Sequence, residues 1–337
     1  MNDRTILVSA VIPTRNRPEL VTRAVRSVLS QTIREIECIV VIDGPDAATV
    51  HALSDIRDSR LRLMALAENV GGCEARNLGA RAARGEWVAL LDDDDEWLPC
   101  RLEKQLAASA KSAEPVTMVA SRFLDRGGVG DDLLRPHIFP REGQAISDFL
   151  WCEVSWLGGI VGFPQTSTWL VRRDFLLEVP FTKGLKVLQD LDWLLRGYCH
   201  PRMRAVFVAE PLVIFHNEQT RQRVTKRIDW QYCRQWAMES RHLFTQKAFG
   251  FFLVIYCINP AAQQGAAWRE MKPVLDEARR FGKLTAKLVG LCFLYVCVYP
   301  WVGKVVSRRK QMSMLYRVRS MVRRQPAAVL ALDREIF

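Results

Sequence analysis

Apolar and polar positions follow two alternating periods along the first 125 residues. Short unbroken apolar runs, suited to strands covered on both faces, occur at Ile6–Pro13, Cys38–Ile42, Leu61–Leu66, Trp87–Leu91 and Thr117–Phe123. Between them the period lengthens. Pro18–Gln31 sets Leu20, Val21, Ala24, Val25, Val28 and Leu29 on one helical side and Arg23 and Arg26 on the other. Ala47–Ile56, Glu74–Arg84 (stopped by Gly85) and Arg101–Ser112 read as further helices. This β-α-β repetition predicts an α/β fold: a mostly parallel sheet with helices on both faces, joined by right-handed crossovers.

Residues 125–225 are less regular. Gly127, Gly128 and Gly130 suggest a loop, Trp169–Arg172 a strand, Asp190–Leu195 a helix, and Ala205–Phe215 a pair of short strands around Pro211. The pattern changes near residue 225, which divides a domain of residues 1–225 (halves 1–125 and 126–225) from a helical, basic region at 226–337. In that region Trp230–Thr245 is helical and aromatic-rich, and two apolar segments follow, Phe249–Ile258 and Leu284–Val306. A membrane-spanning helix needs about 20 apolar residues. The first segment is too short, and the second, broken by Lys287, Pro300 and Lys304, is marginal.

With 337 residues, 49% hydrophobic and 25% charged, the chain is long enough for a sizeable core and is neither disordered nor polytopic. The formal charge is +11, and its placement is lopsided: between Arg279 and Arg324 there are twelve Lys/Arg and no Asp or Glu. A near-neutral body therefore carries a basic end. Nine scattered cysteines without a CxxC pair fit reduced thiols in a cytoplasmic protein. No basic stretch precedes an apolar core at the start, so no secretory signal is expected.

In a parallel α/β sheet, ligands sit beyond the carboxyl ends of the strands. Three polar clusters fall there: Thr14-Arg15-Asn16-Arg17, Asp43-Gly44 and Asp92-Asp93-Asp94-Asp95. Adjacent carboxylates repel unless water or a cation intervenes, and in an extended stretch Asp92 and Asp94 point to the same side, where one hard divalent ion bridges both. A solvated acidic turn is the plainer alternative. There is no GxGxxG after the first strand, no GxxxxGK[ST], no HExxH and no GxSxG, which argues against dinucleotide oxidoreductases, P-loop enzymes, zinc hydrolases and serine acyl transferases.

Several strings together resemble the inverting family 2 glycosyltransferases of GT-A fold, the nucleotide-diphospho-sugar transferases. They are Val11-Ile12-Pro13-Thr14-Arg15-Asn16-Arg17, Ser27-Val28-Leu29-Ser30-Gln31-Thr32, Val41-Ile42-Asp43-Gly44, Asn69 through Asn77, and Gly85-Glu86-Trp87 through Asp95. The likeness is close over residues 6–125 and looser over 165–216. It implies a sugar-nucleotide donor, a UDP-sugar foremost, held by Pro13, Thr14, Asn16, Asp43, Arg76, Asp92 and Asp93. It also implies Mn²⁺ or Mg²⁺ on Asp92 and Asp94, with His216 as a metal or phosphate contact. Leu188-Gln189-Asp190-Leu191-Asp192-Trp193 aligns with the family's Glu-Asp pair, so Asp190 is the implied catalytic base and Gln189 stands where the family has Glu. Arg221 and Arg223 follow His216 as cations suited to diphosphate. Trp156, Trp169 and Trp193 either stack on sugars or pack the core.

The resemblance extends to a hydroxyl acceptor on a glycan or lipid-linked carrier, in surface polysaccharide synthesis at the inner face of the cytoplasmic membrane. Two rivals remain: a nucleotidyltransferase, and a non-catalytic nucleotide-binding protein on a transferase scaffold. The basic, apolar C-terminal segment reads either as an anchor on an anionic membrane surface or as helices packed on the core, and not as a nucleic-acid surface. As an anchor it predicts that low-salt lysates place the protein in the membrane fraction and that high salt releases part of it. A protein wholly in the supernatant at low salt contradicts this.

Overall fold

Val8–Thr14 forms β1, and its alternate residues serve opposite faces of the sheet, as the strand period requires. Val11 packs with Ile39 and Val41 in one apolar cluster, while Val8, Ala10 and Ile12 pack with Cys38, Val40 and Ile42 in another. The computed structural model describes residues 5–127, 132–153, 165–217 and 229–298.

β1 lies between β2 (Ile36–Ile42) and β4 (Trp87–Leu90), and β3 (Leu61–Ala65) flanks β2, all in parallel register. On one face lie α1 (Pro18–Leu29), α2 (Ala47–Ser54) and α4 (Arg101–Ala110), and on the other α3 (Gly72–Ala82). α3 sits so close to the sheet that a Cβ at Gly79 would fall 2.3 Å from Val11 Cγ1.

Beyond β4 the sheet changes character. The remaining strands are β5 (Glu96–Trp97), β6 (Met118–Arg126), β7 (Leu133–Arg135), β8 (Leu170–Arg172) and β9 (Ala205–His216). The order is β3-β2-β1-β4-β8-β6-β9-β5, with β7 on β6. β8 is antiparallel to both β4 and β6, and β5 is antiparallel to β9. The mostly parallel sheet expected from the sequence therefore describes the first four strands, and the second half is mixed. β9 is one strand rather than two short ones: its pairing with β6 shifts register where Arg122 faces Pro211, so a bulge absorbs the residue that cannot donate to a ladder.

The face carrying α3 also receives α5 (Ile146–Cys152), α6 (Arg173–Glu178), α7 (Gln189–Tyr198) and α8 (Trp230–Glu239). Next, α9 (Gln246–Phe252) runs through a π-helical stretch, Leu253–Ile258, into α10 (Asn259–Gln263); α11 (Trp268–Phe281) and α12 (Ala286–Phe293) complete the set. One apolar cluster extends from Val11 through Trp193 to Tyr295, so the helices after residue 225 share a core with the half before it. Trp169 and Trp193 are fully buried in a ring stack with Phe181, the packing alternative of the two read from the sequence, and Trp156 lies outside the described residues. Among the described residues no helix is long and apolar enough to cross a membrane. Phe249–Ile258 is core, and the cations from Lys304 onward lie outside the described residues.

Asp192 fastens α8 to α7 and to the loop before it. Its carboxylate accepts from Thr182 Oγ1 (2.7 Å), Arg196 Nε (2.8 Å) and Trp236 Nε1 (3.1 Å), joining α7, the loop before it and α8. Removing one partner of a buried charged network leaves the others unsatisfied. Asp192→Ala is expected to lose about 3 kcal/mol of unfolding free energy in urea titration. A loss under about 0.5 kcal/mol would show that these bonds are not what holds α8.

Candidate active site

After β4, Asp92-Asp93-Asp94-Asp95 turns sharply, with the Asp95 N–H donating to the Asp92 carbonyl at 3.1 Å, and β5 then ties the exit to β9. It is this turn, rather than the extended stretch expected from the sequence, that groups the carboxylates. One oxygen each from Asp92, Asp94 and Asp95 lie within 4.8 Å of one another. Asp93 points elsewhere and accepts from Thr14 Oγ1 (2.8 Å) and Arg17 (2.9 Å). Arg17 also reaches Asp94 (3.3 Å), and Arg23 donates to the Asp94 carbonyl (2.8 Å).

Asp95, absent from the sequence-based site, is fully buried and central to it. It accepts from Ser167 Oγ (2.6 Å), Gln165 Nε2 (3.0 Å) and the His216 N–H (3.3 Å). Burial foremost, then the Asp92 charge, pushes its carboxyl well above the usual range. Burial likewise raises Asp93, against the pull of Arg17 and Thr14. Gln165 and Ser167 arrive from a single 3₁₀ turn before β8, and nothing in their local sequence marks them. Nothing in the run of four identical aspartates distinguishes Asp95 from its neighbours by sequence.

His216 ends β9 beside this turn, but its ring faces Glu96, with Nε2 at 2.6 Å from Oε1, and Glu96 also pairs with Arg23 (3.3 Å). His216 thus joins the acidic turn through its backbone, and the carboxylate group suited to a cation comprises Asp92, Asp94 and Asp95. Arg221 and Arg223 lie outside the described residues.

The polar ends of β1 and β2 border the same edge. Asp43 accepts from the Val70 N–H (2.7 Å) and the Gly71 N–H (3.1 Å), which shapes the loop entering α3. Gly44, at φ +101°, follows because a side chain there would press within 3.2 Å of Asn69 N. Asn16 holds φ +54° and donates its N–H to Asp46 (2.6 Å), the N-cap of α2, while Pro13 is half-buried in β1.

Across the edge, α7 begins at a strained left-handed residue, Leu188 (φ +64°), which sets Gln189 and Asp190 at the helix start. Asp190 Oδ1 accepts from the Leu191 N–H (2.9 Å). Burial raises its carboxyl, and the Asp92 charge adds to this while Arg76 opposes it. Arg76, on the first turns of α3, spans the gap: Nη2 donates to Asp92 (2.5 Å) and Nη1 to Gln189 Oε1 (2.9 Å).

The donor set fits a hard divalent cation. It offers carboxylate oxygens only, at a turn where burial first, and the Asp92 charge second, drive one carboxyl toward its neutral form. Asp92 and Asp94 would hold such an ion. Asp95 is spent on three protein donors and would brace them.

A family profile described as "Glycosyl transferase family 2" matches residues 9–177. WcaA of Escherichia coli K12, named for colanic acid biosynthesis glycosyl transfer, is 30% identical over 192 residues, covering 56% of this chain and 65% of that protein. The succinoglycan biosynthesis protein ExoO of Rhizobium meliloti is 39% identical over 104 residues, 31% of this chain and 30% of its own length. The chain thus spans less than two thirds of these relatives. Among solved structures, Staphylococcus aureus TarS 1–349 in complex with UDP-GlcNAc superposes with a TM-score of 0.59 at 17% identity, over 93% of this chain and 87% of that one. This likeness establishes the GT-A fold.

Because folded Asp95 keeps its proton to a higher pH than the unfolded chain, its stabilising contribution is complete below an ordinary Asp pKa of about 3.9. That contribution is lost as pH rises through the raised folded value. Urea unfolding of cation-free protein should therefore show Asp95→Asn gaining on wild type as pH rises above the ordinary Asp value of about 3.9. A difference that does not change with pH contradicts a buried Asp95 carboxyl that holds its proton.

Proposed function

Since the chain belongs to glycosyl transferase family 2, we propose that it moves a sugar from a nucleoside-diphosphate donor to a hydroxyl acceptor, with inversion and with a divalent cation. The supporting observation is the convergence of the Asp92–Asp95 turn and Asp190 on one edge of the sheet, joined by Arg76.

Inversion requires a base on the side of the anomeric carbon opposite the leaving diphosphate. Asp190 fills that role. With Oδ1 tied to the Leu191 N–H, Oδ2 takes the acceptor's proton, and the raised basicity of a buried carboxylate favours the transfer. Thr14, Arg17 and Arg23 fix the acidic turn from the β1–α1 side, and Gln165 and Ser167 fix it from below. Asp92 and Asp94 would hold the cation, Mn²⁺ or Mg²⁺, which when bound would supply charge neutralisation for the departing diphosphate. Asp43 shapes the loop against which the nucleotide base lies.

A UDP-sugar is the first candidate donor. TarS carries UDP-GlcNAc in its solved complex, and WfgD of Escherichia coli, 32% identical over 106 residues, is named as a UDP-Glc-using glucosyltransferase on a diphosphoundecaprenol-linked sugar. A glycan or lipid-linked acceptor, met at the inner membrane face, matches the names of the relatives and the twelve cations between Arg279 and Arg324.

The test is thermal-shift screening of UDP-, GDP- and dTDP-sugars with and without Mn²⁺, paired with donor hydrolysis. One nucleotide class should stabilise the protein only with Mn²⁺. Asp190→Asn should keep that shift while donor turnover falls by about 10²–10⁴-fold. Nucleotide binding without turnover by wild type on any acceptor would instead favour the scaffold reading.

A further inference from the structure

Arg76 bridges the acidic turn and the start of α7. Its two terminal nitrogens serve residues far apart in sequence: Nη2 donates to Asp92 Oδ1 (2.5 Å) and Nη1 to Gln189 Oε1 (2.9 Å). The guanidinium is nearly closed off, with its side chain 12% exposed, and its carbon lies 5.6 Å from the centre of the Phe181 ring. Asp92 Oδ1 belongs to the same carboxylate that would take a cation together with Asp94.

Two features show that the bridge is accommodated. Position 72 is glycine, where a Cβ would stand 3.2 Å from Arg76 Nη1 and 3.3 Å from Gln189 Oε1, tighter than ordinary contact. Gln189 is itself anchored, its Nε2 donating to the Leu185 carbonyl at 2.8 Å. Its partner for Arg76 is an uncharged amide oxygen, so this end of the bridge is the weaker bond and the end on Asp92 is the charge-assisted one. A cation and Arg76 cannot both have the Asp92 carboxylate at full strength. An arriving diphosphate offers the guanidinium a replacement that is more highly charged than the carboxylate and suits bidentate contact.

We propose that Arg76 is a latch. In the donor-free protein it caps Asp92 and disfavours cation binding; when donor and cation arrive together it turns from Asp92 to the diphosphate, pivoting on Gln189. Cation and nucleotide then bind cooperatively, and each raises the affinity of the other by the same factor. The neutral Gln189 suits this exchange. It keeps the guanidinium at the cleft without competing for its charge.

The inference rests on the transferase reading, and one set of titrations separates the two. Mn²⁺ binding is measured by electron paramagnetic resonance of the free ion, with and without UDP, for wild type, Arg76→Ala and Gln189→Leu, each checked for folding by circular dichroism. In wild type, UDP should tighten Mn²⁺ by about tenfold or more. Arg76→Ala should bind Mn²⁺ alone about tenfold tighter than wild type and lose most of the UDP effect. Gln189→Leu keeps every charge and removes only the pivot, so it should lose most of the UDP effect. A purely electrostatic role for Arg76 leaves Gln189→Leu unchanged and overturns the latch, as does unaltered donor-free affinity in Arg76→Ala. Should Arg76→Ala fail to fold, Gln189→Leu decides alone. Absence of Mn²⁺ binding by wild type with UDP overturns the latch, and absence with GDP and dTDP as well overturns the transferase reading.

Discussion

Four consecutive carboxylates closed into one turn carry a repulsion that the surrounding structure has to offset. Much of the architecture around the sheet edge can be traced to that requirement. β1 supplies the Thr14 hydroxyl, α1 the guanidinium of Arg23, and the segment between them Arg17. α3 supplies Arg76, and the 3₁₀ turn before β8 brings Gln165 and Ser167. β9 ends so that its last N–H meets Asp95. Six segments converge because no one of them could hold the turn. The charge left over, in Asp92 and Asp94, is what the site offers a cation.

The two cores that flank the sheet differ in character, and the candidate site lies at the edge between them. Helices α1, α2 and α4 pack one side of the sheet around small, tightly fitted residues such as Ala10, Ala24 and Ala89. The other side is aromatic and large, running from Trp169 and Trp193 to Phe249, Phe252 and Tyr295. Asp190 starts the helix whose Asp192 and Trp193 are buried in this second core. Asp190, the proposed base, is therefore held by a framework that includes the C-terminal helices.

Much of this was legible from sequence. The strand–helix alternation to residue 125 placed nearly every element, because buried parallel strands are unbroken apolar runs and their helices keep a clean 3.6 period. The resemblance in turn pointed to Asp92, Asp94 and Asp190. Other features depend on distant partners and have no local signature. The turn geometry at Asp92–Asp95, the insertion of β8 antiparallel to β4, and the arrival of Gln165 and Ser167 are of this kind. His216 shows the same limit: its place at a strand end was visible, but the pairing of its ring with Glu96 follows from β5 lying against β9. The apolar stretch at 249–258, ambiguous by hydropathy, is settled by packing between α8, α11 and the aromatic core.

The central claim is that Asp92 and Asp94 jointly hold a cation against the donor diphosphate. Anomalous diffraction at the manganese edge from crystals grown with Mn²⁺ and UDP addresses it directly. The account predicts one anomalous peak about 2.0–2.2 Å from carboxylate oxygens of both residues, with density for the diphosphate on its far side. A diphosphate seated in the cleft with no peak there, or with its cation carried by other side chains, would contradict it.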